Sequence, residues 1–411
     1  MPYTTALRCR ECGRHYPIEP LNVCEFCFGP LEVDYDYDAI KAKVSRASIK
    51  DGPHTIYRYE ALLPVSRARA VDIGAGFTPL LRADRLGKLL GIENLWLKND
   101  AVNPSYSFKD RVVSIAATKA LEFGMDTIAC PSTGNLAGAV AAHGAKAGMR
   151  TLVFIPRDLE RGKILGAAVY GPTVIAVNGN YDDVQRLCSE LADAHRWAFV
   201  NVNMRSYYAE GSKTLGYEVA EQLGWKAPDH AIVPMASGAM ITKIYQGIQE
   251  FARIGLIPDA HTKMHGAQAR GCSPIVKAIQ GGHTHPKPEI PKTIAKSLAI
   301  GNPADGFYAI KAMKSSGGSG VVVEESEVAE GIMLLARTEG IFTETAGGVV
   351  ISAIRRMAEA GTFKPGESVV AYITGNGFKT MEAVEPSVNK PIQIEANMES
   401  FEERVLAAVG R

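Results

Sequence analysis

Five short runs of this chain carry residue types that could do chemistry. In Ser107-Phe108-Lys109-Asp110-Arg111 a lysine follows a Pro104-containing turn and precedes an apolar helical run, Val112, Val113, Ile115 and Ala116. A lysine beside a second cation, Arg111, and near a helix N-terminus has its ammonium form disfavoured, which makes it a better imine former. Alone, it reads first as a solvated charge, as most lysines are. Pro131-Ser132-Thr133-Gly134-Asn135 is a turn that opens the helical run Leu136 to Lys146, so hydroxyls and free backbone N–H groups converge where a carboxylate or phosphate could sit. Capping by Ser132 or Thr133 explains the same residues. Ser237-Gly238-Ala239-Met240-Ile241 repeats the design with small residues that let backbone amides close on an anion. Tyr372-Ile373-Thr374-Gly375-Asn376-Gly377 ends a late strand with a hydroxyl and flexible backbone.

The fifth run is Cys9-Arg10-Glu11-Cys12 and Cys24-Glu25-Phe26-Cys27, two CxxC knuckles separated by 11 residues. Two such knuckles present four thiolates to one ion, the tetrahedral set that Zn²⁺ favours. A closed four-thiolate site keeps no open position, so Cys9, Cys12, Cys24 and Cys27 are expected to hold a structural zinc; a disulfide pair and a metal-free fold are the alternatives. Cys130, Cys188 and Cys272 are scattered and expected to be reduced thiols.

The elements that must position these runs alternate. Leu95-Trp96-Leu97, Thr127 to Cys130, Thr151 to Ile155, Val174 to Val177 and Ala231 to Pro234 read as strands. Arg111 to Phe123, Leu136 to Lys146, Tyr181 to His195 and Lys213 to Leu223 read as helices. Such β/α alternation implies open, mostly parallel sheets covered by helices, with ligands at the C-terminal edges of the strands. The turns fall there. Gly281 to Pro291 reads as a surface loop and the tail after Asn389 as ending in a helix.

The bulk properties exclude other classes. With 45 basic and 44 acidic side chains among 411 residues, net charge gives no reason to expect a nucleic-acid or anionic-membrane partner. No apolar run approaches the roughly 20 residues that cross a bilayer, and Met1 to Thr5 lacks the basic-then-apolar pattern of a leader, so a cytoplasmic location is expected. No GxGxxG or GxxxxGK[ST] run occurs, which argues against dinucleotides and nucleoside triphosphates.

Together, the order and spacing of the four turns resemble the fold-type II pyridoxal-phosphate (PLP) enzymes, and nearly the whole chain resembles their threonine synthase family. Gly74 to Leu80, Leu97-Lys98-Asn99-Asp100, Glu210-Gly211-Ser212-Lys213-Thr214, Ile294 to Leu298 and Thr343-Glu344-Thr345-Ala346-Gly347-Gly348 add to the likeness, as does the Cys₄ ribbon, which looks like that of many microbial members. The resemblance implies an α/β, tryptophan synthase β-like fold of two open, mostly parallel sheets wrapped by helices, plus the ribbon. The expected division is a ribbon over 1–35, a large domain from 36–95 and 205–390, a small domain over 96–204 carrying Lys109, and a tail over 391–411.

It also implies roles. Lys109 matches the Schiff-base lysine and, once freed, the general base and acid. Asn135 matches the contact to the PLP 3′-oxygen, while Ser132, Thr133 and Gly134 match the turn that receives the substrate carboxylate. Ser237, Gly238, Ala239, Met240 and Ile241 match the PLP-phosphate loop. Thr374 matches the hydroxyl beside the pyridine nitrogen, which leaves that nitrogen largely unprotonated. The implied reaction is that of a carbon–oxygen lyase, converting O-phospho-L-homoserine and water to L-threonine and phosphate. For the substrate phosphate the candidates are Arg111, Arg205 and Lys213, with Ser107 and Ser212 as donors; Arg205 and Lys213 read as readily as surface charges or ion pairs. A homodimer is expected.

Ser105, Tyr106, Pro131 and the Ser-Gly-Ala-Met loop depart from the family pattern. They leave room for a cysteate synthase-like enzyme or one of specialised metabolism acting on another phosphorylated amino acid. A threonine dehydratase-like enzyme fits less well, given the ribbon and the extra cations. A zinc-ribbon binding protein is the reading of another class.

Overall fold

The strands that matter most are those buried on both faces. In this computed structural model, which describes residues 3–132, 134–157, 161–179 and 181–406 without the side chains of Arg161 and Asp182, every residue of β6 (Thr127–Pro131) and β10 (His230–Pro234) is buried. β13 (Ser368–Ile373) is buried but for its first residue. Runs such as His-Ala-Ile-Val-Pro and Ser-Val-Val-Ala-Tyr-Ile are what parallel strands covered by helices require.

They belong to two sheets. The larger has the order β12 (Gly320–Val323), β11 (Lys263–Ala269), β10, β13, β5 (Asn94–Asn99) and β4 (Leu80–Arg82). All its pairings are parallel except that of β4 with β5. The smaller is fully parallel, in the order β8 (Thr173–Val177), β7 (Arg150–Pro156), β6 and β9 (Ala198–Phe199). An N-terminal antiparallel sheet of β2 (His15–Tyr16), β1 (Thr4–Cys9) and β3 (Leu31–Tyr35) forms the ribbon. Among the described residues no helix is long and apolar enough to cross a membrane.

One expected boundary moves. The expected division places residues 96–99 in the small domain, yet they lie within β5 and pair with β13 on one side and β4 on the other, so they belong to the large sheet. The strand register explains why: Trp96 faces Val370 and Asn99 faces Ile373, carrying the chain to the C-terminal edge just before the lysine turn.

Helix packing fixes the large sheet. Glu325–Glu339 and Thr345–Glu359 approach so closely that a Cβ on Gly331 would lie 2.3 Å from Gly348 O, and one on Gly348 2.3 Å from Val328 O. Val349, Val350 and Ile354, each fully buried, contribute about 1.5–3 kcal/mol apiece through removal from water. Gly348 therefore serves contact between helices, whereas Gly347 makes room for Thr343, whose Oγ1 would lie 2.0 Å from a Cβ there. The Gly281 to Pro291 stretch carries no helix or strand, and the tail has a short helix, Met398–Phe401, that is exposed.

Candidate active site

Lys109 is the first residue of the helix Lys109–Glu122, two positions earlier than the sequence pattern suggests. The turn before it is stitched to the end of β13: Phe108 N–H donates to Thr374 O at 2.9 Å, and Asn376 N–H donates to Tyr106 O at 3.1 Å. Asp110 closes the same turn by accepting from Ser105 N–H at 2.7 Å and from the Ser105 hydroxyl at 2.6 Å. Ser105 thus has a local structural use. Tyr106 takes φ 63° and stays exposed, outside the cavity.

The lysine enters a cavity of about 380 Å³ between the C-terminal edges of the two sheets. Lys109 Nζ donates to the Tyr208 hydroxyl at 2.8 Å. Burial lowers its pKa to about 8, with Glu344 opposing the shift. Arg111 plays no part in this.

Two helix N-termini converge on the same space. Ser132 Oγ accepts from Gly134 N at 3.0 Å and from Ala137 N at 2.9 Å, capping the helix Asn135–Ala147. Gly134 has φ 141°, and a Cβ there would meet Lys163 Cδ at 2.3 Å, so only glycine fits. Thr133 lies outside the described residues. On the other wall β10 ends, and Gly238, at φ 94°, turns the chain into the helix Ala239–Arg253. The first amides of a helix have no intrahelical acceptor. Ser237, Ala239, Met240 and Ile241 line the cavity there, and Thr374 lines it at the end of β13.

Several lining residues were not singled out from sequence. Glu344 accepts both 2.8 Å and 3.0 Å hydrogen bonds from Asn135 Nδ2, leaving buried Asn135 Oδ1 without a partner. Tyr208 faces the lysine, Asp305 pairs with Arg205, and the Ser297 hydroxyl and Asn201 Oδ1 are buried and unpartnered. The Thr343-Glu344 and Lys296-Ser297 motifs were visible, but their partners stand far away in sequence.

The five residues offered for the substrate phosphate separate sharply. Arg205 lines the cavity, its guanidinium held by Asp305, which favours its charged form. Ser212 lines it too. Arg111 does not: it is fully buried, with Nε 2.6 Å from Asp100 Oδ2 and Nη2 2.8 Å from Glu218 Oε2, and further bonds to Thr78 and Thr214. Lys213 is equally committed, 2.7 Å from Glu210 and 3.1 Å from Glu250. Ser107 is buried, and its hydroxyl accepts from Lys109 N–H at 3.3 Å. Both cations are spent on buried carboxylates, which corrects the expectation for Arg111 and Lys213.

A buried amine with a depressed pKa, a glycine-turned helix N-terminus and unpartnered polar atoms in a cavity of this size suit an aldehyde cofactor that carries a phosphate. The comparisons agree: the model of the pyridoxal-phosphate dependent enzymes matches residues 71–375. The chain is 38% identical over 402 residues to the threonine synthase of Methanosarcina acetivorans, covering 97% of this chain and 98% of that protein. It is 38% identical over 395 residues to that of Methanocaldococcus jannaschii, covering 95% and 97%. The chain therefore belongs to the threonine synthase family of pyridoxal-phosphate dependent enzymes. Among solved structures, diaminopropionate ammonia lyase from Escherichia coli matches with a TM-score of 0.65 at 20% identity, over 77% of this chain and 89% of that one. The processed form of threonine deaminase isoform 2 from Solanum lycopersicum matches with a TM-score of 0.64 at 20% identity, over 84% and 92%. Both likenesses concern the fold.

Proposed function

We propose that this protein converts O-phospho-L-homoserine and water to L-threonine and phosphate, with Lys109 as the cofactor-holding and proton-moving residue. The observation that carries the reading is a count of anion seats. The N-terminus of the helix Ala239–Arg253 suits the cofactor phosphate, that of Asn135–Ala147 suits a substrate carboxylate, and Arg205 is a third seat on the same cavity. A non-phosphorylated hydroxy amino acid would leave the third seat unused.

Pyridoxal phosphate, when bound, supplies the electron sink that stabilises negative charge at Cα. Lys109, with a pKa near 8, suits both removal of the Cα proton and its return. Burial keeps Tyr208 protonated, so its hydroxyl orients the amine without competing for the proton. Arg205 and Ser212 hold the leaving phosphate, and the Ser132 turn holds the carboxylate. Glu344 fixes the Asn135 amide through Nδ2, and its buried oxygen, which has no partner within the protein, is left to accept from the cofactor.

In the ribbon the four Sγ atoms of Cys9, Cys12, Cys24 and Cys27 all lie within 4.8 Å of one another and form no disulfide. This donor set fits a tetrahedral zinc with a structural role. A cytoplasmic homodimer belongs to the same proposal.

The test is phosphate release from O-phosphohomoserine with threonine identified by mass, alongside absorbance of the bound cofactor, which Lys109→Ala abolishes. Release from phosphoserine alone, dependent on sulfite, would transfer the assignment to a cysteate synthase-like reaction.

A further inference from the structure

Segment 205–208 is shared between the cavity and the ribbon. Arg205 and Tyr208 line the cavity, while the two residues between them grip the ribbon backbone. The Ser206 hydroxyl is 3.1 Å from Leu21 O and 3.0 Å from Leu31 O, and the Tyr207 hydroxyl donates to Glu19 O at 2.6 Å. The ribbon returns the contact through the two residues inside its first knuckle. Arg10 lies over the Tyr308 ring, 3.5 Å from its centroid, with Nη1 3.9 Å from Asp305 Oδ1; Glu11 accepts a hydrogen bond from the Tyr308 hydroxyl. Glu32 anchors Arg10 from the ribbon side at 3.6 Å.

Asp305 is the point where these ties meet. Its other oxygen, Oδ2, takes Arg205 Nη2, and its N–H donates to Ser237 O at 2.9 Å, in the loop that opens the helix Ala239–Arg253. One carboxylate, 6% exposed at the residue level, is thus divided between a ribbon guanidinium and a cavity guanidinium. Gly29 packs closely against the knuckle, since a Cβ there would lie 2.8 Å from Glu11 Cγ and 3.0 Å from Cys9 Sγ.

We infer that Arg10 and Glu11 are positioning residues of the active site, holding Asp305 so that Arg205 remains available to the phosphate of the substrate. This rests on the reading of Arg205 as the phosphate-binding cation. With Arg10 present, Asp305 gives one oxygen to each guanidinium. Without it both oxygens can close on Arg205 in a two-pronged grip, which competes directly with a phosphate. The knuckle that carries Cys9 and Cys12 then bears on substrate affinity although it lies outside the cavity.

The experiment compares Arg10→Ala, Arg205→Ala and the double variant as holoenzymes. It reads KM and kcat for O-phosphohomoserine, competitive inhibition by inorganic phosphate, zinc content and cofactor absorbance. Arg10→Ala raises KM and the phosphate inhibition constant about tenfold, equivalent to about 1.4 kcal/mol, with kcat within about twofold. Arg10→Lys recovers part of the loss, and the double variant matches Arg205→Ala, because Arg10 acts through Arg205. An Arg10→Ala enzyme with wild-type KM and phosphate inhibition, or a double variant in which the two effects add in full, overturns the inference. If Arg205→Ala itself leaves KM and phosphate inhibition unchanged, it is the phosphate role of Arg205 that fails. Where Arg10→Ala loses zinc, Glu11→Ala, which removes the acceptor of the Tyr308 hydroxyl, decides: raised KM with zinc retained supports the inference, and unchanged KM overturns it.

Discussion

Replacing Arg111 by Met separates a structural arginine from a substrate-binding one. Four charges meet out of contact with water: Arg111 and Lys98 against Asp100 and Glu218, with Lys98 Nζ 2.6 Å from Glu218. The group is neutral as it stands, and removing Arg111 leaves one negative charge unmatched. Glu218 keeps Lys98 and the Phe77 N–H at 2.7 Å, and Asp100 keeps the Thr78 hydroxyl at 2.6 Å, so the loss is one uncompensated charge rather than two. Breaking a buried pair from one side costs about 3–5 kcal/mol. The pH dependence should change too. Burial works against the charged form of Glu218, but Arg111 and Lys98 outweigh it and hold its pKa at about 2, below the ordinary 4.5. A depressed carboxyl pKa stabilises the fold above the unfolded value, a contribution lost as pH falls from about 4.5 towards 2. With Arg111→Met that acid-side slope becomes shallower. Urea unfolding across this pH range measures both effects, and steady-state kinetics on the folded fraction measures KM. A variant with wild-type stability and a KM raised tenfold or more would refute the structural assignment and return Arg111 to the substrate.

Cofactor capture by apoprotein should follow the Lys109 amine: its pKa, lowered by burial to about 8, makes the rate climb about tenfold per pH unit below 8 and level off above it. Stopped-flow absorbance checks this, and a rate still climbing at pH 10 would mean an ordinary lysine. Gly238→Ala forces a side chain into φ 94° with its Cβ 2.9 Å from both Ala309 Cβ and Asp305 O, so cofactor affinity should fall about tenfold, read by equilibrium dialysis. Unchanged affinity would remove this loop from the phosphate seat. Glu344→Gln frees the Asn135 amide to turn, and should shift the absorbance of the bound cofactor and lower kcat about tenfold. A wild-type spectrum would show that Glu344 does not orient that amide.

The strand-turn-helix units were legible because each is local. β6 with its Ser132 turn and β10 with its Ser237 turn are continuous in sequence, and their apolar runs declare burial on both faces. Which strands share a sheet was less legible. β5 and β13, 274 positions apart at Asn94 and Ser368, pair directly, and nothing in either run distinguishes that neighbour from β6. Assigning 96–99 to the small domain followed from chain order, whereas register decides it.

The partners of the reactive groups are hidden for the same reason: Lys109 meets Tyr208 across 99 positions, Asn135 meets Glu344 across 209, and Arg205 meets Asp305 across 100. Arg111 is different, because its failure as a phosphate ligand follows from geometry that sequence does carry. Once the helix begins at Lys109, a residue two positions on is turned about 200° around the axis, so a lysine facing the cavity sends Arg111 to the opposite side, towards Asp100 and Glu218. The same reasoning serves Lys213. It stands three positions after Glu210 on consecutive helical turns, the spacing at which opposite charges find each other, and that pair is buried at 2.7 Å. Residue type nominates a cation for an anion, but helical phase decides which cations can reach it. Arg205, in the short helix Arg205–Tyr208 with Tyr208 three positions on, shares its face with the group that touches Lys109.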